Sequence, residues 1–173
     1  MSFHRHTPLP ATAAVLLAVA GCAADAPVVA VPTPPQQESA LCRALHKALP
    51  DSVAGMERQD PEPRSELTAG WGDAAIVLRC GVPRPPGMSD PQGQAAEVNG
   101  VDWLVEERDG DGPRLTTASR KTYVEVTLGE KYAHDLGPLT DLAAPVAKTI
   151  PALFTEEPAE RGEHGEPAGH GDH

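Results

Sequence analysis

Aromatic and basic side chains are both scarce in this chain of 173 residues. Aromatic residues make up 3% of the sequence, although apolar residues as a whole make up 40%. A core with so few large rings must rest on Leu, Val, Ile and Ala. The 14 Lys and Arg residues are outnumbered by 25 Asp and Glu residues, which gives a net charge of −11 with His neutral. That balance argues against a nucleic-acid partner and against purely electrostatic docking on anionic lipid.

Catalytic motifs are missing as well. The chain has no Gly-x-Ser-x-Gly elbow, phosphate-binding loop or His-Glu-x-x-His pair. Ser119, His134 and Asp141 could be assembled into a triad, but any chain of this length offers such a set. Asp109-Gly110-Asp111-Gly112 resembles the start of a calcium loop, yet Pro113 occupies the next ligand position, which favours a hairpin turn. We therefore predict no catalytic residue and no cofactor.

The N-terminus has the three parts of an export signal. A basic start at residues 4–6 is followed by an apolar run from 11 to 20 and by small residues before Cys22. The apolar run is too short to span a bilayer as a helix. The order Val-Ala-Gly-Cys at 19–22 resembles a bacterial lipobox, so we predict cleavage after residue 21 and lipid on Cys22. The alternative is an ordinary signal peptide with a cysteine near its cleavage site.

Two further cysteines, Cys42 and Cys80, remain once Cys22 is assigned to the anchor. An even pair outside the cytoplasm indicates a disulfide, which would staple the first helix across a strand. In the loop-entropy model, closing a loop of about 40 residues contributes roughly 4 kcal/mol to stability. The alternatives are two free buried thiols or a redox pair, although the Cys-x-x-Cys spacing typical of redox pairs is absent.

The sequence divides into four segments. Residues 1–21 are the signal peptide, and 22–38 are the lipidated cysteine with a proline-rich tether that would space the domain from the bilayer. Residues 39–154 form the folded domain. Residues 155–173 are an acidic, His-bearing tail that its composition predicts to be disordered.

Periodicity predicts an α+β domain with a small antiparallel sheet and with an N-terminal and a C-terminal helix on one face. The helices are expected at 39–49 and 139–153, and Pro145 should kink or divide the second one. The Asn99-Gly100 turn should begin a strand with Trp103 inward, and residues 81–96 should be a surface loop. Strands are expected at 74–80, 101–105, 115–117 and 122–128. The strand order does not follow from the sequence, and a ferredoxin-like arrangement is one option.

Four short segments together resemble a known family. They are Trp71-Gly72-Asp73, residues 76–83, residues 99–103 and Tyr123-Val124-Glu125-Val126. In this order they are similar to a family of actinobacterial secreted or lipid-anchored proteins, domain of unknown function 3515. The resemblance covers roughly residues 40–153 and implies a position on the outer face of the cytoplasmic membrane. It carries over no activity and no site residues.

Trp71, Arg79, Asp102 and Arg120 form the most suggestive set of side chains for ligand binding. Arg79 should point away from the core and could pair with a carboxylate such as Asp102 or Glu125. In one interpretation this is a cross-sheet ion pair, with Trp71 as a core ring. In the other, Arg79 and Arg120 bind an anionic envelope group while Trp71 stacks beside them.

The tail offers the remaining candidate ligands. His164, His170 and His173, with neighbouring carboxylates, could bind zinc, nickel or copper. Their spacing matches no defined metal site, so a solvated acidic tail is the favoured interpretation.

Three hypotheses for function follow. The first is a non-enzymatic envelope lipoprotein that binds a protein or a cell-wall component through the sheet face and loop 81–96. The second is an envelope enzyme acting on peptidoglycan or lipid, which would need convergent polar groups with perturbed pKa values in a cleft. The third is metal handling by the tail.

Overall fold

The structure is a computed structural model and describes residues 27–132 and 134–154. Four predictions from the sequence therefore lie outside the described residues: the signal peptide, the lipidation of Cys22, the disordered tail at 155–173, and metal binding by His164, His170 and His173. Neither of the two 13-residue helices in the described part of the chain is long and apolar enough to cross a membrane.

Within the described residues, the regular elements are two α-helices and eight strands. They are α1 Gln36–Ala48, β1 Ser52–Val53, β2 Met56–Glu57, β3 Thr68–Trp71, β4 Ile76–Val82, β5 Gln94–Val98, β6 Val101–Glu106, β7 Arg114–Thr117, β8 Tyr123–Leu128 and α2 Gly137–Thr149. β1 and β2 form a small hairpin, and the other six strands form one sheet in the order β3-β4-β8-β7-β6-β5.

Every neighbouring pair in the six-stranded sheet is antiparallel. β5 to β8 run as a meander, and the chain reaches the far edge of the sheet from β4 through residues 83–93. α1 precedes all the strands and α2 follows them, so no α-helix connects two strands of this sheet. The ferredoxin-like arrangement, which requires such connections, is therefore wrong.

The inner face of the sheet follows from the period of two in a strand. Ile76, Leu78 and Cys80 on β4 are buried together with Val124 and Val126 on β8, which pair with them across the ladder. Leu45 of α1 and Leu142 of α2 pack into the same core. The predicted α+β fold with two helices on one face is confirmed, although the sheet is larger than expected.

The disulfide connects α1 to the inner face. Cys42 and Cys80 are bonded, with their Cα atoms 5.5 Å apart, and both residues are buried. The predicted pairing thus agrees with the structure, and it fixes the first helix against the strand that lies second in the sheet.

The helix boundaries differ from those predicted. α1 begins at Gln36, three residues before Ser39. α2 continues through Pro145, so the proline does not divide it; the carbonyl left without its donor belongs to Asp141, an exposed residue that water can reach. α2 ends at Thr149 rather than Leu153, because Pro151 disfavours helical backbone at Ile150.

The prediction of one long loop over 81–96 is wrong at both ends. β4 extends to Val82, and the loop holds a 3-10 turn at Pro86–Ser89 before β5 begins at Gln94. The β5 sequence Gln-Ala-Ala-Glu-Val has weak strand propensity, and only its pairing with β6 defines it. The Asn99-Gly100 turn is confirmed, since both residues have positive φ, 50° and 77°, as a tight hairpin requires.

Candidate functional site

The face of the sheet opposite the helices, the outer face, carries charged side chains. Arg79 of β4 lies directly across from Glu125 of β8, and its Nη1 is 2.9 Å from the Glu125 Oε1. Glu125 is only 8% exposed. A carboxylate buried to this extent needs a paired cation, so the ion pair is part of the fold.

A second arginine pair stands beside the first. Arg114 of β7 binds Glu106 of β6 with two nitrogens, Nε at 3.0 Å and Nη2 at 3.1 Å. The hydrogen bonds to Glu106 raise the pKa of Arg114. Partial burial lowers this pKa, and the negative charges of Glu106 and Glu125 raise it further. This guanidinium is thus a fixed positive charge.

Two loop arginines complete the cluster. Arg108 donates from Nε to the Gly112 carbonyl at 2.9 Å and lies 3.6 Å from Asp111. Arg84 is exposed and donates to the Ser89 hydroxyl at 2.6 Å and to the Met88 carbonyl at 3.0 Å. Among the described residues it has no carboxylate partner.

Three adjoining cavities form one groove on this face, which we call the outer groove. A cavity of about 300 Å³ and one of about 180 Å³ share Arg79, Arg114 and Glu125 in their walls. A third, of about 230 Å³, shares Val82, Pro83 and Arg84 with the second and adds Tyr123. The groove therefore runs over β4, β8 and β7 and is bordered by the proline-rich residues 83–86.

The other border is the N-terminal strap, residues 27–35. Val29 donates to the Glu62 carbonyl at 2.9 Å, and Glu62 donates back to the Pro27 carbonyl at 3.0 Å. The Arg79 Nε binds the Ala30 carbonyl at 2.9 Å. Thus this part of the predicted tether lies against the domain.

A glycine lets the strap approach the sheet closely. Gly81 has φ +85°, and a Cβ at this position would collide with the ring of Pro34. The hydroxyl of Ser39 in α1 also donates to the Pro34 carbonyl at 3.2 Å, so the strap is fixed just before the helix begins.

The structure does not bring the four predicted ligand-binding residues together. Trp71 lies in the core on the inner face, where its Nε1 donates to the Pro50 carbonyl at 3.1 Å. Arg79 is on the outer face. The recognition face in which Trp71 stacks beside Arg79 and Arg120 is therefore not formed. Trp71 pairs with Ile76, three positions along β4 from Arg79, so alternation puts Trp71 and Arg79 on opposite sides of the sheet.

Arg120 and Asp102 belong to a different part of the molecule. Arg120 is 9% exposed and donates to the carbonyls of Ile150 at 2.8 Å and Gly100 at 2.9 Å, which joins the end of α2 to the β5–β6 turn. Burial lowers the pKa of Arg120, and the charge of Asp102 partly opposes that shift. Both contacts of Arg120 are structural.

The weaker candidates remain separate as well. The Asp141 carboxylate accepts a hydrogen bond from the Ala54 backbone at 2.8 Å, and the structure shows no link from it to Ser119 or His134. Residues 109–112 form a turn in which the Gly112 carbonyl accepts from Arg108. Within residues 27–132 and 134–154, no group of three His, Cys, Asp or Glu side chains is placed to hold a metal ion.

A second cleft, which the sequence did not indicate, surrounds His46. The Arg58 Nη2 lies 3.2 Å and 3.1 Å from the two ring nitrogens of His46, and its Nε is 2.8 Å from Asp60. Burial, and then the charge of Arg58, lower the pKa of His46. A cavity of about 270 Å³ opens here, lined by His46, Asp60, Arg64, Ser65 and Glu66. A neutral imidazole beside carboxylates can accept or pass a proton.

A six-stranded antiparallel sheet with two helices and a disulfide on its inner face and a charged groove on its outer face defines a small, disulfide-bonded α+β domain. Residues 7–154 match the model of the family described as protein of unknown function (DUF3515), and the chain belongs to this family. The resemblance seen in the sequence is thereby confirmed, while the actinobacterial source and the lipid anchor stay predictions. No curated protein and no solved structure matches the chain.

Proposed function

We propose that this protein is a non-catalytic binding module of the cell envelope, held on the outer face of the cytoplasmic membrane by lipid on Cys22, and that the outer groove is its binding surface. The observation that carries the proposal is the clustering of Arg79, Arg84, Arg108 and Arg114, four of the chain's ten arginines, on one groove of an acidic protein.

The packing around the groove supports a binding role. Glu125 and Arg79 hold the floor in a fixed geometry, and the strap and residues 83–86 supply rigid proline-rich walls. Preformed walls reduce the entropy lost when a ligand binds, which favours affinity. Arg84 stands exposed on the rim with no competing carboxylate among the described residues.

The envelope location is supported by the sequence and by the bonded cysteines. The export signal and the lipobox-like order before Cys22 predict the anchor. A disulfide between buried cysteines is typical of proteins that fold outside the cytoplasm. We expect wild-type protein in the membrane fraction and Cys22→Ser protein in the soluble extracytoplasmic fraction. Equal release of the two forms would contradict the lipid anchor.

Site-specific photocrosslinking in native membranes tests the groove. A photoreactive residue introduced as Pro86→p-benzoylphenylalanine stands in the groove wall, while Lys47→p-benzoylphenylalanine stands exposed on α1. We expect a discrete adduct from position 86 and none from position 47, and we expect Arg84→Gln to abolish the adduct. Identical adduct patterns from both positions would contradict a binding role for the groove.

The His46 cleft favours a second candidate function, an envelope enzyme acting on peptidoglycan or lipid. Its support is the lowered pKa of His46 beside Asp60 and Glu66 in an open cavity. Hydrolysis of purified peptidoglycan or of membrane lipid by wild-type protein, lost in His46→Gln, would favour this function. No turnover of either substrate by well-folded protein would remove it.

A further inference from the structure

We infer that the outer groove recognises a phosphate group carried by its ligand. The anion would lie in the cavity of about 180 Å³ between Arg79, Arg84 and Arg114. This inference rests on the proposed function, since it names the ligand chemistry of the same groove.

The charge of the cavity points to an anion. Three guanidinium groups line it against one carboxylate, that of Glu125, which leaves a formal charge of +2 in the lining. Glu106, which binds Arg114 from outside the lining, offsets one of these charges. A net positive charge therefore remains in this cavity, although the whole chain carries −11. An anionic group is the complement of such a site.

Each of the three arginines also keeps hydrogen-bond donors to spare. A guanidinium has five N–H groups. Arg79 uses Nε and Nη1, Arg114 uses Nε and Nη2, and Arg84 uses Nη1 and Nη2. The Nη2 of Arg79, the Nη1 of Arg114 and the Nε of Arg84 have no acceptor among the described residues. These groups can donate to a ligand without breaking a contact that holds the fold.

The arrangement suits a tetrahedral anion better than a planar one. The three arginines come from β4, from β7 and from the loop after β4, so they surround the cavity from different sides. A phosphate offers oxygens in several directions, whereas the two oxygens of a carboxylate are satisfied by a single guanidinium fork. Val82, Pro83, Pro85 and Pro86 form the remaining wall, and the three prolines have no N–H groups to offer a ligand.

Such a phosphate could come from a phospholipid headgroup or from a soluble phosphate ester of the envelope. The strap joins the groove to the predicted anchor, because Pro27 is five Cα steps from Cys22, at most about 18 Å. If Cys22 carries lipid, the groove stays close to the headgroups, and tethering raises their effective concentration. The chemistry at the arginines is the same for both sources.

The test is a titration of the full chain carrying Cys22→Ser with glycerol 3-phosphate, followed by the amide and arginine Nε–H resonances. Sodium chloride of matched ionic strength is the control for screening. We expect saturable shifts at the amides of Arg84 and Gly87 and at the Arg79 and Arg114 side chains. Arg84→Gln should weaken the affinity about tenfold, since one charge-assisted contact is lost. Arg43→Gln makes the same charge change on exposed α1 and should leave the affinity unchanged.

Shifts that follow ionic strength alone, or an equal affinity in Arg84→Gln and wild type, would overturn the inference. Co-sedimentation with vesicles of phosphatidylglycerol and of phosphatidylcholine then separates the sources. Arg84-dependent sedimentation with vesicles assigns the phosphate to lipid, and glycerol phosphate binding without sedimentation assigns it to a soluble ester.

The inference and the proposed function can fail separately. A groove adduct at position 86 without phosphate binding would support the binding module and contradict the phosphate inference. Phosphate binding by a protein that is not retained in membranes would support the phosphate site and contradict the lipid anchor.

Discussion

The two faces of the sheet are built on opposite physical principles. The inner face consists of aliphatic side chains and two fully buried indoles packed under the helices. The outer face holds a nearly buried carboxylate, four arginines and a groove walled by prolines. On the inner face stability depends on the volume that is filled, whereas on the outer face it depends on whether each charge has its partner. A substitution that removes the same number of atoms should therefore change the stability by different amounts on the two faces.

The largest loss of stability is expected on the inner face. Trp71→Ala removes a fully buried ring and its hydrogen bond to the Pro50 carbonyl, which should lower the free energy of unfolding by about 4 kcal/mol. The measurement is the denaturant midpoint at constant slope. Tyr123→Ala, which truncates a half-buried ring on the outer face, should lower it by less than half as much. Equal losses would contradict the difference between the faces.

The next largest effect should come from the ion pair of the outer face. Arg79→Ala leaves the Glu125 carboxylate buried without its partner and should destabilise the domain by about 3 kcal/mol at neutral pH. Adding Glu125→Gln removes the unpaired charge and should restore part of the loss in a double-mutant cycle. Additive losses in the double variant would show that the two side chains do not depend on each other. Arg79→Ala is accordingly a poor test of ligand binding.

His46 should give a smaller, pH-dependent effect. Its pKa in the folded protein is lowered from the ordinary value of 6.5, so the unfolded chain binds the proton more readily. The free energy of unfolding should thus be highest above pH 6.5 and fall as the pH drops through this range. Thermal unfolding of wild type and His46→Gln between pH 8 and pH 5 measures the difference. In His46→Gln the free energy of unfolding should fall less steeply with decreasing pH than in wild type. Parallel curves for the two proteins would assign the pH dependence to other groups.

The smallest effect on stability is expected at the rim of the groove. Arg84 is exposed and donates only to a hydroxyl and a carbonyl of its own loop. Arg84→Gln should change the free energy of unfolding by less than about 0.5 kcal/mol. Circular dichroism melts of the variant and of Arg43→Gln should therefore coincide with wild type. A large drop in Arg84→Gln alone would make Arg84 part of the fold rather than of the binding surface.

The inner face was largely predictable because its signal is local. The alternation in β8 and the spacing of leucines in α1 follow from the positions of neighbouring residues along the chain. The Asn99-Gly100 turn and the cysteine pair were also predictable. Asn-Gly strongly favours a tight hairpin turn, and two cysteines can form only one disulfide with each other. β5 escaped prediction because Gln-Ala-Ala-Glu-Val becomes a strand only through its partner β6.

The outer groove could be predicted only in part. Alternation with Leu78 placed Arg79 away from the core, and Glu125 was one of its expected partners. Arg84, Arg108 and Arg114 lie on separate segments, and nothing local in the sequence shows that they meet. Of the two interpretations of Trp71, the core ring agrees with the structure, whereas stacking beside Arg79 does not, because the ladder puts the two residues on opposite faces.

The sequence by itself determined the α+β class, the disulfide partners, the inward side chains of the main strands and the family. These features depend on the hydrophobic periodicity, on the number of cysteines and on the order of the motifs along the chain. The tertiary structure alone decided the strand order, the docking of residues 27–35 and the meeting of four arginines in one groove. The physical reason is that an ion pair or a groove depends on which distant strands become neighbours. That choice is made by the packing of the whole sheet against its helices.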